Sequence, residues 1–186
     1  MSIPRPPQPA KLIAGLLYRE GDLHRQVLQV LQESFGAMDL LTEPEPFTFT
    51  SYYDREMGPG LLRQTLSFVE LMAADRLVEV KHATNAVEQQ LARGGNRTVN
   101  IDPGLLSEER LVLATGKNYT HRVYLGEGIY ADLTLIYQKG SYQALPWTYP
   151  DYRCPRLLHF LAALRRKLLI QRRGHLPTHH GGTLDS

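Results

Sequence analysis

The chain has 186 residues, 42% of them hydrophobic, which is enough for one domain to bury a core without disulfides or a structural metal. Lysine and arginine total 21 against 19 acidic residues, so the formal charge of +2 is too small to indicate a nucleic-acid partner by itself. The single cysteine, Cys154, excludes an internal disulfide and a multi-cysteine zinc site. Because no apolar leader and no membrane-spanning run is present, we expect a cytoplasmic protein without a membrane partner.

The chain divides into three segments. Residues 1–10 are rich in proline, which is typical of an extended and disordered arm. Residues 11–173 carry the apolar patterns of a single α+β domain. Residues 174–186 follow the last of these patterns, and we expect a disordered tail.

The domain begins with strand and helix patterns. An apolar run at residues 11–18 has the length of a central strand. Apolar side chains recur at helical spacing over residues 23–35 and predict a helix. Farther on, Pro44 and Pro46 cannot donate hydrogen bonds to a neighbouring strand, so the next firm strand is predicted at residues 47–52.

A further strand and a second helix follow. Residues 62–71 alternate apolar and polar side chains and predict a strand. The second helix has an apolar stripe and ends at Gly94, and its opposite face carries Lys81, Asn85 and Glu88. A short strand at residues 98–101 is predicted to end at Asp102-Pro103-Gly104.

The order strand, helix, strand, strand, helix, strand is that of a ferredoxin-like βαββαβ core. We therefore predict an α+β fold in which two helices cover one face of an antiparallel-rich sheet. A β-hairpin meander extends the core at residues 111–145. A C-terminal helix beginning at Pro155 carries leucines at helical spacing and could dock on the sheet.

The hairpin at residues 111–137 is the most informative stretch. A three-residue loop at residues 126–128 pairs Arg122 with Asp132 and Tyr124 with Tyr130. In this register one face is apolar and is predicted to point into the core, with Val123, Leu125, Ile129, Ala131, Leu133 and Leu135. The opposite face is polar and aromatic, with Asn118, Thr120, Arg122, Tyr124, Tyr130, Asp132 and Thr134.

The polar face of the hairpin is the predicted binding site. Arginine and tyrosine provide a charged fork and stacking surfaces, which suit a phosphate-bearing ligand such as a nucleotide or RNA. The candidate ligand-binding residues are Lys117, Asn118, Thr120, Arg122, Tyr124, Tyr130 and Asp132. An exposed ion pair between Arg122 and Asp132, worth about 0 to 1 kcal/mol, is an equally good interpretation. The same surface also suits a protein-interaction module or a homodimer.

An enzyme, for example a hydrolase, is the alternative from a different class. His121 would act in acid-base catalysis with Asp102 or Asp132. Strand alternation places His121 beside Leu133 on the apolar face, however, which favours a hydrogen-bonded core histidine. A metal-dependent reaction is the other catalytic hypothesis, with carboxylate ligands from Asp54, Glu56 and Asp102.

Two nucleotide-binding patterns in the sequence lack the required context. Residues 126–131 match G-x-G-x-x-A but lead into a strand, so no helix N-terminus is available for a pyrophosphate. Residues 116–118 match the end of a P-loop, but Leu111 stands where the first glycine would be. We interpret the first pattern as a hairpin loop and the second as an ordinary loop.

Several motifs together resemble one bacterial and archaeal family, the domain of unknown function 4416. They lie in order at residues 51–58, 99–104, 117–125, 128–132 and 147–152. The resemblance extends from about residue 11 to residue 173 and implies neither an activity nor a catalytic residue. Some members carry a GTP-binding label, which this chain does not support because its P-loop is incomplete.

Overall fold

The structure is a computed structural model that describes residues 1–19, 21 and 23–174; the predicted tail beyond Gly174 lies outside these residues. The strands are β1 (Ala10–Tyr18), β2 (Met38–Leu41), β3 (Glu45–Pro46), β4 (Leu62–Met72), β5 (Val99–Leu106), β6 (Arg110–Thr115), β7 (Arg122–Gly126), β8 (Ile129–Gln138) and β9 (Ser141–Ala144). The helices are α1 (Leu23–Phe35), α2 (Asp54–Met57), α3 (Leu77–Leu91) and α4 (Pro155–Arg173), with 3₁₀ turns at Ala74–Arg76 and Pro150–Arg153.

The described strands form one antiparallel sheet in the order β2-β4-β1-β5-β6-β8-β7, with β3 beside β4 and β9 beside β8. The connection from β1 through α1 to β2 passes over β4, and the connection from β4 through α3 to β5 passes over β1. Helices α1 and α3 cover one face of the sheet, and α4 covers the other. The α+β class is confirmed, whereas the ferredoxin-like assignment stays a prediction. None of the described helices is long and apolar enough to cross a membrane.

Strand β1 is the central strand, as predicted, and it is buried along its whole length. Leu12, Ala14 and Leu16 belong to the core under α1 and α3. Ile13 belongs to the core under α4. Because successive side chains point to opposite faces, one strand supplies both cores, which explains its continuous apolar sequence.

The strand predicted at residues 47–52 is wrong. Pairing with β4 stops at Pro46, and one further backbone hydrogen bond joins Phe47 N to Leu61 O at 2.8 Å. Beyond this point aromatic rings pack on one another, with Phe47 contacting both Phe49 and Tyr53. The segment therefore leaves the sheet and is free to line a cavity.

The sheet opens between β5 and β6. Strand β5 pairs with β1 over its whole length but with β6 only from Gly104 to Leu106. Residues two apart on a strand direct their backbone groups to the same side, so Ile101 and Pro103 both face β6, and Pro103 has no N–H to donate. The predicted end of the strand at Asp102 is therefore wrong, because β1 holds β5 in register through this proline. The proline instead ends the pairing of β5 with β6.

The predicted register of the hairpin is confirmed, since Arg122 pairs with Asp132 and Tyr124 with Tyr130. The predicted assignment of its faces is wrong in part, although Ile129 and Leu135 are buried as predicted. Val123 is 67% exposed, because β7 is the last strand at this edge of the sheet. Asp132, predicted on the polar face, is buried.

A β-bulge in β8 explains this error. Leu111 of β6 pairs with Leu135, but the next residue of β6 pairs with Leu133, which leaves Thr134 as an extra residue in β8. The extra residue reverses the alternation of side chains. Asp132 and Leu135 therefore face the same side of the sheet, the side that α4 covers.

Candidate functional site

A cavity of about 600 Å³ lies where β5 and β6 separate, and we call it the sheet cleft. Strands β1, β4 and β5 line one side, and the end of β6 with the start of β7 lines the other. Helix α3, the aromatic segment at residues 47–53 and the 3₁₀ turn Pro150–Arg153 complete the lining. The charged lining residues are Arg63, Lys81, Arg97, Lys117, Arg122, Glu88, Asp102, Asp132 and Asp151.

Helix α3 replaces β6 as the hydrogen-bonding partner of β5 inside the cleft. Glu88 Oε1 accepts a hydrogen bond from Ile101 N at 2.6 Å, and Lys81 Nζ donates to Ile101 O at 3.0 Å. Both side chains are buried because the open sheet leaves backbone groups that need partners. Burial raises the pKa of Glu88. Asn85 lines the cleft on the same helix face and makes no hydrogen bond with the described residues.

Arg63 of β4 lies over Gly15 of β1. A Cβ added at Gly15 would be 2.6 Å from Arg63 Nη2 and 3.1 Å from the Tyr152 hydroxyl, so this packing requires glycine. The guanidinium lies between two carboxylates, with Nη1 3.5 Å from Asp102 Oδ2 and Nη2 3.2 Å from Asp151 Oδ2. Burial raises the pKa of Asp151, although the charge of Arg63 opposes this shift.

Two donor groups at this position are buried without a hydrogen-bond acceptor among the described residues. They are Nε of Arg63 and the hydroxyl of Tyr152, whereas Nη2 of Arg63 has the Asp151 carboxylate as its ionic partner. Most buried polar groups in folded proteins have a partner, so such a cluster needs an explanation. A ligand that brings acceptor atoms into the cleft would give these donors hydrogen-bond partners and so explain them.

Arg97 and its partners form one end of the cleft. Its guanidinium makes two parallel hydrogen bonds with Glu56, from Nε to Oε1 at 2.8 Å and from Nη2 to Oε2 at 2.7 Å. Nη1 donates to Asn100 Oδ1 at 2.8 Å, and Asn100 Nδ2 donates to Asp102 Oδ2 at 2.9 Å. These hydrogen bonds fix the orientation of the polar side chains along β5.

Arg122 lines the cleft as predicted, but its nitrogen atoms have protein partners. Nε donates to Asp132 Oδ2 at 2.9 Å, Nη1 donates to Lys117 O at 2.9 Å, and Nη2 donates to the Tyr149 hydroxyl at 3.0 Å. The Arg122 and Asp132 side chains are only 7% and 6% exposed, so the pair is not a solvated surface ion pair. Arg122 holds the loop after β6 and Tyr149 against the cleft.

His121 lies behind this pair. Its Nε2 is 3.2 Å from Asp132 Oδ2, and its ring stacks on Trp147 at a centroid distance of 5.1 Å. Thr134 also donates to Asp132, at 3.3 Å. The structure therefore joins His121 to Asp132 in a largely buried hydrogen-bonded group. His121 does not line the cleft, whereas Asp102 does, so these two are not brought together there.

Lys117 marks the mouth of the cleft. Its Nζ donates to the Tyr52 hydroxyl at 3.1 Å and lies 4.8 Å from the centre of that ring. Both residues are exposed. The hydrogen bond and the charge of the ammonium group lower the pKa of Tyr52. This contact links the aromatic segment at residues 47–53 to the loop after β6.

The other predicted ligand-binding residues lie outside the cleft. Tyr124 and Tyr130 contact each other near the tip of the hairpin, with ring centroids 5.2 Å apart. Asn118 and Thr120 are exposed in the loop between β6 and β7. A ligand-binding role for these four residues, and a homodimer formed through this surface, stay predictions.

Two of the three carboxylates considered for a metal site already have cationic or amide partners. Glu56 is bound by Arg97, and Asp102 accepts from Asn100. Asp54 begins α2. Among residues 1–19, 21 and 23–174, no group of three or more His, Cys, Asp or Glu side chains could hold a metal ion. The geometry of the described residues therefore does not favour the metal hypothesis.

The sequence analysis missed several residues that line the cleft. The helical spacing of Lys81, Asn85 and Glu88 was a usable signal, because three polar side chains share one face of α3. Arg63 gave no signal, because its position depends on the pairing of β4 with β1 over Gly15. Asp151 and Tyr152 gave no signal either, because an irregular segment has no periodicity that would predict which way its side chains point.

Comparison with known proteins yields one match. A family model described as a domain of unknown function, DUF4416, matches residues 8–168. No curated protein and no solved structure matches the chain. The matched residues contain every described strand and all residues that line the sheet cleft. The chain belongs to the DUF4416 family.

Proposed function

We propose that this protein binds a phosphate-bearing small molecule of nucleotide size in the sheet cleft. The observation that carries the proposal is a pair of buried donors, Arg63 Nε and the Tyr152 hydroxyl, that have no acceptor among the described residues. A buried donor without an acceptor costs about 1–3 kcal/mol, so a ligand that brings an acceptor to this position would gain binding energy. A phosphate group offers charge and several acceptor oxygens to these donors.

The remaining lining of the cleft suits the rest of a nucleotide. Aromatic rings line the loop side, from Phe47, Phe49, Tyr52, Tyr53 and Tyr149. Stacking of a base on such a ring is worth about 1–3 kcal/mol. The amide of Asn85 offers both a donor and an acceptor to a base edge. The volume of about 600 Å³ lies within the range of about 300–1,000 Å³ for small-molecule sites.

A single nucleotide suits this site better than an RNA strand. Proteins that bind single strands present a continuous basic groove that follows the phosphate backbone. In the cleft, five cationic side chains are interspersed with four acidic ones. Tyr124 and Tyr130, which the RNA hypothesis used as a stacking platform, lie outside it.

Isothermal titration calorimetry with the purified full chain tests the proposal. We expect 5′-mononucleotides to bind more tightly than the matching nucleosides, and a short single-stranded RNA to bind no more tightly than a mononucleotide. Arg63→Met should weaken mononucleotide binding about tenfold or more, because it removes a charged hydrogen-bond donor. Asn85→Ala should alter the preference among bases.

Arg166→Ala is the matched control, because Arg166 is exposed on α4 and lines no part of the cleft. It removes the same charge as Arg63→Met and should leave affinity unchanged. Thermal unfolding of each variant checks that the fold is intact. Absence of heat with every mononucleotide, or equal losses in both variants, would contradict the proposal.

A hydrolase that uses a buried carboxyl as a general acid is a second candidate function. Burial raises the pKa of both Asp151 and Glu88, and such carboxyls can donate protons in catalysis. Asp151 lies 3.2 Å from Arg63, where the phosphate group is proposed to bind. Release of inorganic phosphate from a mononucleotide by the native chain, but not by Asp151→Asn, would support this function. No release from any mononucleotide would reject it.

A further inference from the structure

A second cavity of about 530 Å³ lies on the other side of Arg97, outside the sheet cleft. Among its described lining residues, three are arginines and one is acidic, and we call it the arginine pocket. Its polar lining residues are Arg19, Arg93, Arg97, Asn96, Thr98 and Glu56. Arg97 lines both cavities, whereas Glu56 lines only the arginine pocket.

Arg97 already holds an anion, and that anion is the carboxylate of Glu56. Besides the two guanidinium hydrogen bonds, Arg97 N donates to Glu56 Oε1 at 3.1 Å. One carboxylate therefore receives three hydrogen bonds from one residue. Hydrogen bonding by Arg97 lowers the pKa of Glu56 and keeps the carboxylate charged. A planar guanidinium fork of this kind binds phosphate as readily as carboxylate.

The other two arginines lie at the end of β1 and in the turn after α3. Arg93 enters a tight turn in which Gly94 and Gly95 have φ values of 58° and 82°. Two backbone hydrogen bonds close the turn, Arg93 N to Asn96 O at 3.0 Å and Asn96 N to Arg93 O at 3.1 Å. Arg19 directly follows β1. Neither guanidinium forms an ion pair or hydrogen bond with the residues that the structure describes.

We infer that the arginine pocket is an anion-binding site that takes a phosphate group, and that Glu56 is its internal competitor. Arg19 and Arg93 supply guanidinium donors that have no ion pair or hydrogen bond with the described residues, and Arg97 supplies a donor set that Glu56 occupies when the pocket is empty. An incoming phosphate is repelled by the Glu56 carboxylate and gains hydrogen bonds by displacing it. Glu56 therefore sets the affinity of the pocket. The inference does not depend on any ligand in the sheet cleft.

Inorganic pyrophosphate is the probe, because it carries phosphate groups and has no base or sugar for the sheet cleft. Titration calorimetry with the full chain compares native protein, Glu56→Gln, Arg19→Ala and Arg93→Ala at about 0.15 M salt, where long-range charge effects are screened. Glu56→Gln should bind about tenfold more tightly than native protein, because it removes the competing charge and keeps the side-chain shape. Arg19→Ala and Arg93→Ala should each weaken binding about tenfold.

Glu56→Gln is the decisive variant, since a gain of affinity cannot come from damage to the fold. Arg166→Ala is the charge-matched control, because it removes one exposed positive charge from α4, away from the pocket lining. Pyrophosphate binding that is not tighter in Glu56→Gln, or that falls equally in Arg166→Ala and Arg93→Ala, would overturn the inference. Failure of mononucleotides to bind the sheet cleft would leave these pyrophosphate results unaffected, so the two proposals fail separately.

Discussion

Gly104 is the residue at which β5 and β6 separate, because it forms the last pair between them, with Leu113. A Cβ at this position would lie 2.6 Å from Leu113 Cδ2 and 2.8 Å from Val112 O. Both distances are shorter than real Cβ contacts, so the two strands approach this closely only because residue 104 has no side chain. The apex of the sheet cleft therefore depends on a single glycine.

We predict that Gly104→Ala lowers the free energy of unfolding by about 1–3 kcal/mol, because a methyl group must be forced between two packed strands. Gly116→Ala is the control within the same region, since a Cβ there meets no atom within 4 Å. It should change the free energy of unfolding by less than about 0.5 kcal/mol. Denaturant unfolding measures both values. Equal effects of the two substitutions would show that the strands do not approach closely at Gly104.

Asp151 provides a prediction about pH. Burial raises the pKa of this carboxyl in the folded chain above its usual value of 3.8. A raised pKa in the folded chain means that folding favours the protonated form of Asp151. Protonated Asp151 therefore contributes stability, which is complete below pH 3.8 and is lost as the pH rises through the pKa of the folded chain. Asp151→Asn removes this loss, so the stability of the variant relative to the native protein should increase as the pH rises from 3 to 7.

The measurement is the free energy of unfolding of native protein and Asp151→Asn between pH 3 and pH 7. The free energy of unfolding of the variant should increase relative to that of the native protein as the pH rises. Asp75→Asn, at an exposed position without a described hydrogen bond or ion pair, is the control. A variant that loses stability at pH 7 would mean that the ion pair with Arg63 outweighs the effect of burial.

At the scale of elements, α4 is held on the sheet by a buried cluster of charges as well as by apolar contacts. Lys11 of β1 is fully buried, and its Nζ lies 2.5 Å from Asp39 Oδ2 of β2. The same oxygen lies 3.0 Å from Nζ of Lys167 on α4. Gln171 of α4 also accepts a hydrogen bond from Lys11, at 2.9 Å. The helix thus covers a lysine that the sheet alone would leave incompletely paired.

Asp39→Ala should lower the free energy of unfolding by about 3–5 kcal/mol, because it leaves the buried ammonium group of Lys11 without its counter-ion. Lys167→Ala removes a partly exposed partner of the same carboxylate and should cost less than about 1 kcal/mol. Denaturant unfolding at pH 7 compares the two. Similar losses in both variants would show that Lys11 does not depend on Asp39.

The pH dependence of this cluster has the opposite sign to that of Asp151. Burial works to raise the pKa of Asp39, but Lys11, Ser67 and Lys167 outweigh burial and hold the pKa below 3.8. A lowered folded pKa contributes stability above pH 3.8, and this contribution is lost as the pH falls through the folded pKa. Asp39→Ala should therefore flatten the acid limb of the stability profile.

At the scale of the whole molecule, the proline arm is separate from the sheet, but its end is attached. Residues 1–9 are exposed and form no strand or helix, and β1 begins at Ala10. Arg172 of α4 donates to Pro9 O at 2.7 Å and to Gln8 O at 3.2 Å. The last two residues of the arm are therefore fixed to the C-terminal helix.

Deletion of residues 1–7 should change the free energy of unfolding by less than about 0.5 kcal/mol, because it removes only exposed chain. Deletion of residues 1–9 should lower it by about 1–3 kcal/mol, because Arg172 loses its carbonyl acceptors. Denaturant unfolding of the two truncated chains tests this boundary. A large loss on removing residues 1–7 would place the start of the domain within the arm.

The sequence by itself determined the features that depend on local chemistry. The apolar run at residues 11–18 predicted the central strand, and the loop at residues 126–128 predicted the hairpin register. The apolar stripe of α3 predicted part of its buried face, with Val80, Thr84 and Val87, but Lys81 and Glu88, predicted on the opposite face, are buried as well. Each of these depends on side-chain periodicity or turn geometry over a few residues, which a sequence displays directly.

Only the tertiary structure decided where the candidate site lies. The bulge at Thr134 turned Asp132 towards α4, and the end of pairing at Gly104 opened the cleft. Arg63 and Gly15 meet only because β4 pairs with β1. These outcomes depend on contacts between distant segments, and a polar side chain carries no local sign of the strand or helix that it will face. Of the predicted polar surface of the hairpin, only Arg122 and Asp132 line the cavity, and its other walls come from elsewhere in the chain.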